Sequence, residues 1–203
     1  ADVVFTAQQT LEEAQAFYGE LKGRMARHGR APDTLHIMPG VFPVIGRSER
    51  EARDRLAMLQ SWTDARRALA LLSERLGHDI SGYPLDGPLP DLPESDQIKS
   101  RAKLLTDLAR RENLTIRELA DRVGAARGHW MLCGTPEKIA DELQRWFLAR
   151  GCDGFNVMPP YFPGALDDFV DRVVPILQER GLFRADYAGT ALRDHLGLAR
   201  PAN

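Results

Sequence analysis

The chain has 203 residues, 43% hydrophobic and 28% charged, the make-up of a globular protein with enough length for a sizeable core. Its net charge of -2 gives no electrostatic case for nucleic acid or an anionic membrane, and no apolar run approaches the roughly 20 residues that span a bilayer. No basic-then-apolar leader opens it, and Cys133 and Cys152 have neither metal nor redox spacing, so a cytoplasmic protein without disulfides is expected.

Val3, Val4, Phe5 and Thr6 are β-branched or aromatic and predict a short buried strand. The chain enters this strand at once, with no initiator Met, a hint that the natural start lies upstream. Thr10 then caps a helix whose apolar face is Leu11, Ala14, Phe17, Leu21 and Met25, with Gly29 as its C-cap. Residues 35–37 and 41–45 form a second strand region, in which Pro39-Gly40 and Pro43 predict a bend or bulge. Ser48 and Glu51 form a capping box that opens a helix to about Leu76. Residues 77–95 hold Pro84, Pro88, Pro90 and Pro93 and are expected to be a long loop. A helix over 98–111 follows, then a second capping box, Thr115 to Glu118, with a helix to about Val123. Residues 124–133 read as a crossover to the next helix, where Thr135 is the N-cap and Pro136 takes the first turn. A buried strand is predicted over 154–158, then a proline-stiffened loop and a helix over 166–180 kinked at Pro175. The tail from Gly181 holds one short helical pattern over 191–196.

Two β/α units thus lie close together, and the third strand comes more than 100 residues later, so a helical segment is inserted between the second and third units. The order strand, helix, strand predicts an α/β fold with a parallel sheet. Thr115 to Gly124 also looks like the first half of a helix-turn-helix, but no recognition helix follows in 125–132 and the chain is net acidic, so a capped helix of the insertion is the better reading.

The runs GTPEKIADELQRWF and GCDGFNVMPPYFPGALDDFVDRVVPILQERGLFRADYAGTALRDHLGL, with VFTAQQTLEEAQAFYGELKGRMARHGR and LHIMPGVFPVIGRSEREAR before them, closely resemble the C-terminal end of one enzyme family. It is the bacterial-luciferase-like group of flavin-dependent nitrilotriacetate, dibenzothiophene-sulfone and long-chain-alkane monooxygenases. The resemblance implies the C-terminal part of a (β/α)8 barrel, with strands six, seven and eight and an insertion between the last two. The whole of 1–203 would then belong to one barrel domain, with 46–134 as helix plus insertion and 181–203 as tail. It also implies an organic substrate oxidised by O2 and reduced FMN, a separate flavin reductase that supplies the FMN, and a homo-oligomer. The family's enzyme is about twice this long, and a Gln-Ala-Gly-x-Ser segment that helps hold its flavin phosphate would fall just upstream of Ala1. A truncated, non-catalytic module is the alternative.

Barrel sites lie at the C-terminal strand ends. That rule selects Thr6 and Gln8, then Phe42, then Asn156, Met158 and Tyr161. Phe42, Met158 and Tyr161 suit an apolar wall that keeps water from activated flavin, and Gln8 and Asn156 suit polar positioning. Phe5 and Phe42 fit the core better than a pocket and Thr6 a strand-end bond better than a site, while Gln8 fits a solvated turn and Asn156 a structural amide as readily as a ligand contact. His129 stands in loop-like context and is a candidate for substrate contact. No residue is assigned a catalytic role, and no His, Cys or acidic set has metal spacing.

Overall fold

The computed structural model describes residues 1–62, 64–93, 99–126 and 128–200, and its longest strand organises the rest. Strand β2 runs from His36 to Ile45 without interruption. Strand β1 (Val3–Thr6) pairs parallel with His36 to Pro39, β3 (Trp130–Gly134) with Val41 to Ile45, and β4 (Asn156–Val157) with Gly40 and Val41. The expected bend at the prolines does not occur. Backbone N–H groups alternate sides along a strand. The Ile37 N–H points to the β4 side, where it meets Asp153, so Pro39 and Pro43 lack their N–H on that same side. There β4 pairs only at Gly40 and Val41, and no ladder bond is lost.

The fold is α/β with a parallel sheet, as the sequence implies, and the described residues hold four strands, one more than the three the sequence reading placed. The extra one is β3, in the stretch read as a crossover. Its sequence WMLCG has no β-branched residue and only Trp130 favours a strand, so propensity is weak there; packing decides. Trp130, Leu132 and Gly134 alternate inward, and Trp130 stacks on Trp146 with ring centroids 4.0 Å apart. The predicted 154–158 strand shrinks to Asn156–Val157, extended by the Met158 N–H donating to the Val41 carbonyl.

The helices follow their caps. Thr10 caps α1 (Leu11–Met25), Ser48 caps α2 (Glu49–Ser61) and Thr135 caps α6 (Pro136–Leu148). The single helix expected from Ser48 to Leu76 is two. Asp64 accepts from the Arg67 N–H and starts a new helix, α3 (Ala65–Leu76). Helix α4 is Lys99–Glu112; its predicted start at Ile98, and Ser95 at the end of the predicted loop, lie outside the described residues. Helix α5 (Ile116–Ala126) opens on the Thr115–Glu118 box, whose bonds run both ways, and ends three residues past the expected Val123. The last long helix is α7 (Gly164–Asp168), a π-helical turn (Phe169–Val173) and α8 (Val174–Glu179). The wide turn, closed by the Val174 N–H on the Phe169 carbonyl, directly precedes Pro175, which has no N–H to donate. A short α9 (Leu192–His195) lies in the tail.

The second half of β2 is buried on both faces. Val41 and Ile45 pack with Trp130 and Leu132 against Ile139, Leu143 and Trp146 of α6 and Val173 and Leu177 of the last helix. Phe42 and Val44 pack the other way, with Met131, with Leu56 and Leu59 of α2, and with Ala126 of α5. A separate core joins α3, α4 and α5 through Leu72, Leu76, Leu105, Leu108, Leu119 and Val123. Each such side chain contributes about 1.5–3 kcal/mol on leaving water. The described part of the proline-rich loop is stitched to this unit, with the Ile116 and Arg117 N–H groups donating to the Gly87 and Leu85 carbonyls, each at 2.9 Å.

A buried polar knot pins the start of β2. Lys22 pairs with Asp153 at 2.8 Å and also donates to the Pro32 and Leu35 carbonyls. Asp153 accepts from the Ile37 N–H at 2.7 Å and from the Tyr18 hydroxyl at 2.9 Å. Loss of solvent, then the bond to the Asp153 carboxylate, pushes the Tyr18 phenol up to about 12. The folded value exceeds the unfolded one of about 10, so this contribution to stability is complete below about pH 10 and is lost as pH rises through about 12. We expect the urea midpoint to fall more steeply in the wild type than in Tyr18→Phe between about pH 10 and pH 12. Parallel curves for the two proteins would remove Tyr18 from the account.

Among the described residues no helix is long and apolar enough to cross a membrane.

Candidate functional site

Residues paired across a parallel ladder point to the same face. Phe5 pairs with Met38, and Asn156 with Gly40. Those four therefore share one face, with Phe42 further along β2 on the same side. Thr6 pairs with Pro39 and lies on the opposite face, with Ile37 and Val41, beneath the helices.

On the shared face, His129 fills the space where Gly40 has no side chain. A Cβ at Gly40 would lie 2.6 Å from Nδ1 of His129 and 2.8 Å from Cε2 of Phe5. His129 is 8% exposed and stacks on Phe5, with centroids 4.9 Å apart and planes at 10°. Phe5 is 54% exposed, so its free ring surface opens outward from this contact. Three strands and the turn before β3 thus meet at one level: Phe5, Gly40, Asn156 and His129. The Asn156 Nδ2 reaches the Met38 carbonyl at 3.4 Å, a long contact across the strands.

A cleft of about 280 Å³ opens beside His129, lined by Gln9, Glu112, Arg122, Trp130 and Met131 among others. Of these, Arg122 pairs with Glu112 at 2.6 Å, so the charge in its lining is paired. Gln9 donates through its carboxamide to the Gly128 carbonyl at 2.5 Å. Above Gly40, Phe42 and Met158 join Val44 and Ala126 in an apolar wall. A second cleft of about 310 Å³, lined by Met38, Phe147, Phe155, Phe169 and Leu182, is more apolar. It lies beside the N-terminal half of β2 and the residues entering β4, away from the strand ends where a β/α fold places its chemistry. The His129 cleft is therefore the candidate.

Of the residues singled out in the sequence, Asn156 and His129 come together, Phe42 and Met158 form the wall, and Gln8 stands half-buried at the end of β1. Thr6 faces away, and its buried hydroxyl has no hydrogen-bond partner among the described residues. Tyr161 stands apart, by a narrow crevice with Arg55 and Asp168 at the end of β2. There Arg55 donates to Asp168 at 2.7 Å and to the Ile45 carbonyl at 2.8 Å, and the Asp168 bond raises its pKa. Phe5, Met38, Gly40 and Gln9 were missed. The signal for Met38 and Gly40 was alternation: once Phe42 is placed inward, every second residue of β2 follows, whereas Phe5, read as core, joins them only through the β1–β2 register. The cysteines offer no thiolate: burial pushes Cys152 up to about 12 and raises Cys133 as well.

The family model for luciferase-like monooxygenases matches residues 1–153. The chain is 49% identical over 205 residues to nitrilotriacetate monooxygenase component A of Aminobacter aminovorans, covering 100% of this chain and 45% of that protein. It is 50% identical over 206 residues to N-acetyl-S-(2-succino)cysteine monooxygenase of Bacillus subtilis, covering 100% of this chain and 47% of that protein. Its fold superposes on the crystal structure of DmoA from Hyphomicrobium sulfonivorans with a TM-score of 0.83 at 28% identity, over 97% of this chain and 41% of that one. The chain spans about half the length of the curated relatives it matches.

Proposed function

The chain belongs to the luciferase-like monooxygenase family, and from that premise we propose that it is the C-terminal part of a flavin-dependent monooxygenase. The parent enzyme oxidises a small organic substrate with O2 and reduced FMN, and a separate flavin reductase supplies the FMN. In this reading β1, β2 and β4 are barrel strands six, seven and eight, residues 1–203 form part of one barrel domain, and β3 closes the inserted segment against the far half of β2. The parent is cytoplasmic and works as a homo-oligomer.

The observation that carries the reading is the shared face of Phe5, Gly40 and Asn156 with His129 stacked on it. These residues fit one side of a flavin site. Gly40 leaves a cradle that any Cβ would fill, Phe5 keeps a free aromatic surface, and Asn156 and His129 bring polar atoms to it. When bound, reduced FMN supplies the electrons that activate dioxygen. The chain's own residues orient and shield: Phe42 and Met158 keep water out, and Asn156 and His129 position what enters. The phosphate-holding segment is expected before Ala1. Gln8 and Tyr161 remain candidates for substrate contact in the assembled protein, and Thr6 for support behind β1.

The test uses the full-length protein with FMN, NADH and a flavin reductase. Saturable quenching of flavin fluorescence is expected, together with oxygen uptake that rises when nitrilotriacetate or N-acetyl-S-(2-succino)cysteine is added. A protein that quenches no flavin and consumes no oxygen from reduced FMN would sink the reading and favour the non-catalytic module.

A further inference from the structure

We propose that Met131 is a specificity-determining residue: its side chain closes the His129 cleft against a second, outer cleft and so limits how long an uncharged arm the substrate can carry. The inference rests on the function proposed above and adds to it the size and polarity of what the site accepts.

β3 is where the inserted segment returns to the sheet, and its register with β2 decides which way its side chains point. Met131 pairs with Phe42, and Cys133 with Val44. Met131 therefore faces the same side as Phe42, Gly40 and Asn156, the side that carries the candidate site. It packs there on the apolar wall yet stays half-buried, so part of its side chain borders open space. One such space is the His129 cleft. The other is an outer cleft of about 410 Å³ between α2, α5 and β3, lined by Leu56, Leu114 and Cys133 among others. Among the described residues, Arg122 and Met131 alone line both clefts, so these two side chains form the partition. Arg122 is fixed by its ion pair with Glu112 at 2.6 Å. Met131 is uncharged, so shortening it opens the partition without stranding a charged partner. The lining also decides what can follow. Arg122 is already paired, and Glu118 and Asp121 bring two further carboxylates, so an anionic arm is repelled. An alkyl arm instead finds Leu56, Leu114 and Cys133.

The test uses the full-length protein with reduced FMN and three probes that share one head: N-methyliminodiacetate, N-hexyliminodiacetate and nitrilotriacetate, whose third arm is a carboxylate. The wild type should prefer the methyl arm to the hexyl arm. Met131→Ala should raise the ratio of kcat/KM for hexyl over methyl by about 10- to 100-fold, the range that methylenes in an apolar pocket command. The ratio for nitrilotriacetate over methyl should not rise. Met131→Val, better suited to a strand, should shift the hexyl ratio the same way by a smaller factor, and it decides if the alanine variant does not fold. A wild type that prefers the hexyl arm, an unchanged hexyl ratio in the variants, or an equal gain for nitrilotriacetate would overturn the proposal. Calorimetric titration of the methyl and hexyl probes into the same proteins reads the partition without turnover, and the hexyl probe should gain affinity over the methyl one in both variants. If the wild type turns nothing over, the proposed function fails and these titrations decide. Equal ratios of dissociation constants in wild type and variants, or no binding to any of them, refute the partition.

Discussion

Asp153→Ala should lower stability by about 3–5 kcal/mol, the range for breaking one side of a buried ion pair. The side chains of Lys22 and Asp153 are 9% and 18% exposed, too sheltered for water to replace the lost partner. The substitution strands three groups at once: the Lys22 ammonium, the Ile37 N–H and the Tyr18 hydroxyl. Lys22 keeps two backbone carbonyls and so stays buried with less compensation than before. With a urea slope of about 2 kcal/mol per molar, the midpoint should drop by about 2 M. Asp153→Asn keeps an acceptor and should lose roughly half as much. A midpoint shift below about 0.5 M for Asp153→Ala would show that the knot is decoration rather than anchorage.

Gly40→Ala should cost about 1–3 kcal/mol through overpacking. The backbone at Gly40 does not itself exclude alanine; the objection is space. Its Cβ would stand 2.6 Å from the His129 ring and 2.8 Å from Phe5, and neither neighbour is the loose end of a flexible chain. Either the imidazole leaves its stack or β1 and the turn before β3 part. The signature is in the double variant: Gly40→Ala with His129→Ala should recover most of the loss that Gly40→Ala adds, because the added methyl then occupies space the ring has left. Thermal unfolding of the four proteins measures this. Strictly additive losses would mean that the two residues do not share the space the structure gives them.

The helix starts were legible. Thr10, Ser48 and Thr135 each accept from an N–H three residues on, a local bond that the local sequence specifies. The break at Asp64 follows the same rule but was hidden by the apolar periodicity that runs through it. β3 was hard to read because Trp130 is the one strand-favouring residue in Trp-Met-Leu-Cys-Gly; it is extended because Trp130 and Leu132 find Trp146 and Val41. Of the site, Asn156 could be picked as an amide within an apolar strand, where polarity needs a reason, and His129 only as a histidine in a loop-like stretch. Their meeting with Phe5 and Gly40 depends on register, which is a property of the folded ladder. Nothing in the sequence around Lys22 marks it for burial, since its partner Asp153 lies far along the chain.

β2 does two jobs in succession, and the division falls at Gly40 and Val41. Its first half is joined to β1, its second to β3, and the segment between α2 and β3 is clustered around apolar contacts of its own. A descendant gene could therefore recode, shorten or lengthen residues 64–126 as a cassette, and the pairing of β1 with β2 would be inherited unchanged. Since that same cassette ends at the turn bearing His129, new substrates could be explored by drift in one exchangeable module while the scaffold that presents the ring stays constant.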